Sequence, residues 1–319
     1  MNQSRSPNFS STYLGNIAII PISLAGIFAN CVLLATIYNT KNFHTPSYIL
    51  SANMAVSDIL GQLFTAFYSM FNVLQLQMSL LTESDYTILC QWNYYGYNCS
   101  SLISALSFTV ISIDRYITIM AEHNKKSSLQ KPTFLIMVII AIWIVSCTSA
   151  IPVIFLIKAN LSYNYACDLI LFRNTDTTLL IFRYFAVILT YPLPLITVTY
   201  LYYHVIRKIR LIAKSQATNL NRSSHTNRQI HATKMMIIAT LIFMINNTIM
   251  TTNLLIFGSL KIHLTELLIK NPAIAVWITM SAIILNLSLI QNPIIYMLYN
   301  KTFRAAAISL FKHQQIIPD

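Results

Sequence analysis

Seven long, predominantly apolar blocks follow one another along the 319-residue chain, with shorter polar stretches between them. They run Asn16–Tyr38, Tyr48–Leu74, Ile88–Met120, Pro132–Leu156, Leu179–Val205, Lys234–Phe257 and Pro272–Tyr299. Each reaches the ~20 residues that a helix needs to cross ~30 Å of hydrocarbon. Lipid offers no partner to open backbone groups, so each span must be helical. The pattern predicts an all-α membrane protein, a seven-transmembrane helix bundle over 16–299, preceded by a polar tail at 1–15 and followed by a short segment at 300–319. Pro192, Pro194 and Pro293 fall inside apolar blocks and read as kinks.

Composition supports this class. The chain is 55% hydrophobic and 9% charged, where a soluble domain carries about a quarter charged residues. The first fifteen residues are polar and the first apolar block is full length, so no cleavable signal peptide is expected. The spans show no inverted repeat of the kind that marks many transporters.

The net charge of +12 comes from basic residues crowded into the connections, not from one continuous face, which argues against nucleic acid as a partner. Fourteen Lys and Arg residues lie after spans one, three and five and in the C-terminal segment, against six on the other side. By the positive-inside rule the N-terminus is outside and the C-terminus cytoplasmic, as expected of a multi-pass plasma-membrane protein. The sequons at Asn2, Asn8 and Asn160 fall on the outer side, where they can be glycosylated. Those at Asn98, Asn246, Asn286 and Asn300 fall in spans or inside and read as chance matches.

Of five cysteines, Cys31, Cys99 and Cys147 are mid-span and read as small packing residues. Cys90 opens span three and Cys167 lies in the second outer loop; on that oxidising side they form either a disulfide or two free thiols. No Cys/His spacing resembles a metal site, and no nucleophile–base constellation suggests an enzyme.

Charges at membrane depth are the strongest functional signals. Asp58 sits near mid-span two, where an ionised carboxylate needs a cation or several donors. With Asn30, Ser104, Ser288 and Asn292 it either holds a small cation such as sodium or sits protonated in a structural network. Asp114-Arg115-Tyr116 closes span three; Arg115 lies 25 residues past Cys90, ~37 Å along a helix. These two residues therefore mark opposite membrane faces.

These residues carry a resemblance. Asn30, the run Asn53-Met54-Ala55-Val56-Ser57-Asp58, Asp114-Arg115-Tyr116, Trp143, Pro194 with Tyr202, and Asn292-Pro293-Ile294-Ile295-Tyr296 occur in order, each in its own span. Together they resemble the rhodopsin-like (class A) G-protein-coupled receptors over nearly the whole chain. The resemblance implies a short amphipathic helix around Phe303 and a two-state bundle in which the inner end of span six swings out. Arg115 then reaches a heterotrimeric G protein, with Tyr202 and Tyr296 in support. The basic inner loops would lie against anionic lipid, and a receptor dimer is among the partners such a bundle admits.

The sequence departs from the family at span six, where Asn247 replaces an aromatic switch and Ile249 a proline, and at Gln229, where an acid often pairs with the span-three arginine. Tyr97 occupies the position where amine receptors carry aspartate, and Asn286 that of the retinal-binding lysine. The implied ligand is therefore a peptide or a small non-amine molecule in the bundle mouth. Candidate contacts are Tyr94, Tyr97, Arg183, Tyr184, Asn247 and Trp277, with Tyr68, Trp92 and Phe185 nearby. With no Ser or Thr after Ser309, phosphorylation would fall on Ser215, Thr218, Ser223, Ser224 or Thr226. Two other functions are open: a receptor-like partner protein with weak or constitutive signalling, and a seven-span transporter or channel using Asp58.

Overall fold

The computed structural model describes residues 8–78, 81–120, 128–160, 166–169, 185, 191–217, 224–259 and 271–312. Helices α1 (Asn8–Asn39), α2 (Pro46–Met78), α3 (Glu83–Met120) and α4 (Pro132–Leu156) come first, with a short 3-10 turn at Lys41–Phe43. A hairpin follows, of strands β1 (Ile157–Asn160) and β2 (Ala166–Leu169). Next are α5 (Pro192–Ala217), α6 (Ser224–Ser259), α7 (Pro272–Ser288), α8 (Gln291–Tyr299) and α9 (Lys301–Lys312).

Among the described residues α3, α4 and the Tyr13–Asn39 part of α1 are long and apolar enough to cross a membrane, as are α7 and α8 taken as one bent span. Helix α2 is less apolar because it is amphipathic with its polar face inward. Ser47, Ser51, Asp58, Gln62, Thr65, Ser69, Asn72 and Gln75 recur at helical spacing and are buried, while Val56, Leu60, Leu63, Phe67 and Met70 face outward. Helix α3 lies at the centre and packs against α2, α4, α5, α6 and β1.

The bend between α7 and α8 is 53° and has an identifiable cause. Pro293 has no N–H to donate to the carbonyl of Leu289, four residues earlier. Asn30 Nδ2 takes that carbonyl from α1 at 2.9 Å, and also bonds the Gly26 carbonyl of its own helix at 3.0 Å. At the start of α7, Asn271 caps the helix by accepting from Ala273 N, with Pro272 in the first turn.

Three expectations change. Residues 8–15 are helical and continue α1, so the Asn8 sequon begins a helix; helix propagation costs little once nucleated, whereas hydropathy marks only the hydrocarbon-embedded part. Within the described residues Pro192 stands in the first turn of α5, directly after Tyr191 in a turn. Cys31 is exposed on the outer surface of α1, not packed within the bundle.

At the other end of the bundle from Arg115, Cys90 and Cys167 form a disulfide with Cα atoms 5.6 Å apart. β1 and β2 pair antiparallel with Ala159 opposite Cys167. The hairpin is tied to α3 by Ala159 N donating to Thr87 Oγ1 at 3.0 Å and Gln91 Nε2 donating to the Ile157 carbonyl at 3.2 Å. The bridge closes 77 residues, an entropic effect of about 4.5 kcal/mol at most for a free chain. Cys167→Ser is expected to lower the melting temperature in a thermal-shift assay by several degrees, and an unchanged melting curve would show that the hydrogen bonds hold the hairpin alone.

Candidate functional site

At one end of the bundle Asp114 is buried, and its Oδ2 accepts from Arg115 Nη2 at 2.9 Å and from Ser47 Oγ at 3.1 Å. Neighbouring residues on a helix point apart, yet the long arginine stem folds back onto the carboxylate. Arg115 Nη2 also donates to Ser47 Oγ. The hydroxyl of Ser47, at the start of α2, therefore joins both charges of α3, and the Arg115 side chain keeps 15% exposure.

The two tyrosines that the sequence assigns to this end are docked elsewhere. Tyr202 on α5 shares a hydrogen bond with Thr240 on α6, oxygen to oxygen 3.1 Å. Tyr296 on α8 pairs with Ser51 Oγ at 2.6 Å, and its hydroxyl lies 3.5 Å from Met236 Sδ. Tyr296 is also packed against Phe303 of α9 (5.2 Å between centroids) and Tyr48 (5.5 Å). Phe43 closes this aromatic group against Phe303 at 5.5 Å, so α9 is anchored by its one buried aromatic ring.

Midway along the bundle Asp58 accepts from Ser104 Oγ at 3.2 Å, Ser100 Oγ at 3.5 Å and Asn292 Nδ2 at 3.3 Å. Two further members of the predicted network make their described hydrogen bonds to carbonyls: Asn30 to that of Leu289, and Ser288 Oγ to that of Leu285 in its own helix at 2.7 Å. Nearer the Arg115 end, Asn53 links three helices: it accepts from Trp143 Nε1 at 2.8 Å and donates to Ser107 Oγ at 3.1 Å.

Toward the disulfide end the helices are joined by polar pairs. Ser101 Oγ donates to Asn247 Oδ1 at 2.9 Å, joining α3 to α6. Trp277 Nε1 donates to Asn253 Oδ1 at 2.7 Å, joining α7 to α6, and Tyr191 pairs with Thr248. Tyr94 packs against the buried cluster around Cys90 and Cys167. Trp92 is exposed and stacked on Phe64. Arg183 and Tyr184 lie outside the described residues, as does the side chain of Gln229 on α6.

The chain matches the model of the 7 transmembrane receptor (rhodopsin family) over residues 29–296. It belongs to that family. The mouse "visual pigment-like receptor peropsin" is 26% identical over 331 aligned positions, which cover 98% of this chain and 89% of that protein. The "QRFP-like peptide receptor" of Branchiostoma floridae is 22% identical, over 91% of this chain and 75% of that one. In structure the chain resembles squid rhodopsin with a TM-score of 0.73 at 20% identity, over 99% of this chain and 89% of that one. The protein is thus a multi-pass membrane receptor with the seven-helix fold, and not an enzyme.

Reading residue types along the receptor's spans missed several of the partners just described: Ser47, Ser51, Ser100, Ser101, Thr240 and Asn253. One signal was present. Ser47 and Ser51 precede Asp58 by 11 and 7 residues, which puts all three on one face of α2. Removing the Ser47 hydroxyl leaves a buried carboxylate with one donor fewer, a loss of about 1–3 kcal/mol. Ser47→Ala is therefore expected to lower the receptor's thermal stability in detergent, with Ser47→Thr near wild type; equal melting temperatures for all three proteins would remove the hydroxyl's role.

Proposed function

We propose that this receptor binds an extracellular ligand, a peptide or a small non-amine molecule, in the mouth at the disulfide end, and activates a heterotrimeric G protein at the Arg115 end. The observation that carries the reading is the Arg115 clamp. Its described partners, Asp114 and Ser47, belong to α3 and α2, so outward movement of α6 need not break them. With α6 displaced, Tyr202 loses Thr240 and is free to turn toward Arg115. The excess of basic residues on the connections at the Arg115 end supports a cytoplasmic placement there, against anionic lipid.

The charge chemistry of the mouth suits neither an amine nor an aldehyde. Tyr97 offers no carboxylate to a protonated amine, and Asn286, whose Nδ2 bonds its own-helix Ala282 carbonyl at 2.9 Å, offers no amine to an aldehyde. The aromatic and amide groups of Tyr94, Tyr97, Asn247 and Trp277 suit a neutral amphipathic ligand.

The polar centre fits a sodium ion in its donor set. Asp58 carries two carboxylate oxygens, Ser100 and Ser104 add hydroxyls, and Asn292 Oδ1 is buried without a partner among the described residues. Hard oxygen ligands of this kind suit a small hard cation.

Two measurements test the proposal. With promiscuous G-protein reporters the receptor is expected to signal without ligand above mock-transfected cells, and Arg115→Ala to cut that signal at least tenfold; an undiminished signal overturns the assignment of Arg115. For sodium, thermal stability is compared in sodium chloride and choline chloride. At tenfold excess over Kd the ion stabilises by about 1.4 kcal/mol; that increment is expected in the wild type and absent in Asp58→Asn, and its persistence there sinks the site.

A further inference from the structure

We propose that the Ser101–Asn247 hydrogen bond is a positioning latch that holds α6 against α3 and sets the resting balance between the two states of the receptor. The inference rests on the reading of α6 as the moving element. Helix α6 runs 36 residues without a proline, so it lacks the backbone break about which a helix bends sharply. Its outer half is instead held by side chains. Asn247 Oδ1 accepts from Ser101 at 2.9 Å while its Nδ2 donates to the Phe243 carbonyl of its own helix at 2.9 Å. The carboxamide is thus fixed at both ends, and its plane is set by α6 itself.

One turn toward the Arg115 end, Phe243 packs on Phe108 of α3 with centroids 5.1 Å apart. This contact is apolar and slides at low cost, because ring packing has a broad minimum, whereas a hydrogen bond weakens steeply with angle. Movement of α6 relative to α3 is therefore resisted at this level by the Ser101–Asn247 bond. Thr248, the next residue, pairs with Tyr191 at the start of α5, and Asn253 with Trp277 of α7; these fix α6 to helices on its other sides, while Asn247 ties it to α3. An interhelical hydrogen bond in a membrane shifts a two-state equilibrium by about threefold on average, and at most about twentyfold.

The test reads helix position directly, independently of G protein. Spin labels on cysteines replacing Lys234 on α6 and Phe134 on α4, both exposed, report their separation by pulsed electron resonance in lipid nanodiscs, in a Cys31→Ser, Cys147→Ala background. Ser101→Ala and Asn247→Ala are each expected to raise the ratio of long to short distances about threefold or more. The double variant should go no further than the larger single, and Ser101→Thr should match the wild type. An unchanged distribution in either single variant, or a double equal to the product of the two, overturns the latch. So does a lowered melting temperature with no change in distances, which is the mark of a purely structural bond. If the distances shift but no variant activates any G protein, the latch stands and the proposed signalling function falls; if Arg115-dependent signalling is found with unshifted distances, the reverse holds.

Discussion

The buried polar stripe of α2 is the constraint around which the bundle is arranged. Lipid supplies neither hydrogen-bond partners nor a hydrophobic drive for helix association, so each polar turn of α2 must find a neighbour. Ser47 meets Asp114 of α3, Ser51 meets Tyr296 of α8, and Asn53 joins Ser107 of α3 and Trp143 of α4. Asp58 gathers Ser100, Ser104 and Asn292 from α3 and α8. Each such bond contributes only about 0.6 kcal/mol on average. Their greater effect is geometric: they set the rotation and depth of α3, α4 and α8 against one helix.

Helix α6 stands outside this arrangement. Its described side-chain bonds run to α3, α5, α7 and α8, through Asn247, Thr248, Thr240 and Asn253 and through Gln291, which donates to the Ala239 carbonyl at 3.2 Å. None of these named bonds runs to α2. A displacement of α6 therefore leaves the α2-centred framework and the Asp114–Arg115–Ser47 group in place. Separating a fixed frame from a movable helix is what a two-state bundle requires, since packed interiors switch between discrete arrangements and do not deform continuously.

Hydropathy made the spans legible because length and polarity answer directly to membrane thickness; the boundaries read for α4 coincide with the structure. It failed at the start of α1, where helix formation outruns the apolar block. In the site, charged and motif residues could be picked out by type, but their partners are mostly serines and threonines, which are common in every helix and acquire a role only once a neighbouring helix is rotated toward them. Asn30 is the instructive case. Residue type suggested a place beside Asp58, yet its partner is the Leu289 carbonyl, an acceptor that exists because Pro293 cannot donate to it. Counting back four residues from a proline inside a span finds such an acceptor, whereas a search confined to side chains passes it by.

On the proposed two-state reading, asparagine at 247 in place of an aromatic residue would change how the bundle stores its two states. A large ring switches by volume: it must turn in a packed core, and the barrier is steric. A carboxamide switches by partner, and the energy at stake is that of one hydrogen bond in hydrocarbon, which is small because the released groups find substitutes. Asn247 already spends its Nδ2 on the Phe243 carbonyl, so its Oδ1 alone faces α3. A gate resting on one acceptor is a shallow one. On the proposed reading, one shallow restraint on α6 would place the resting and active arrangements close in free energy, so ligands with modest differential affinity would suffice to shift the balance between them.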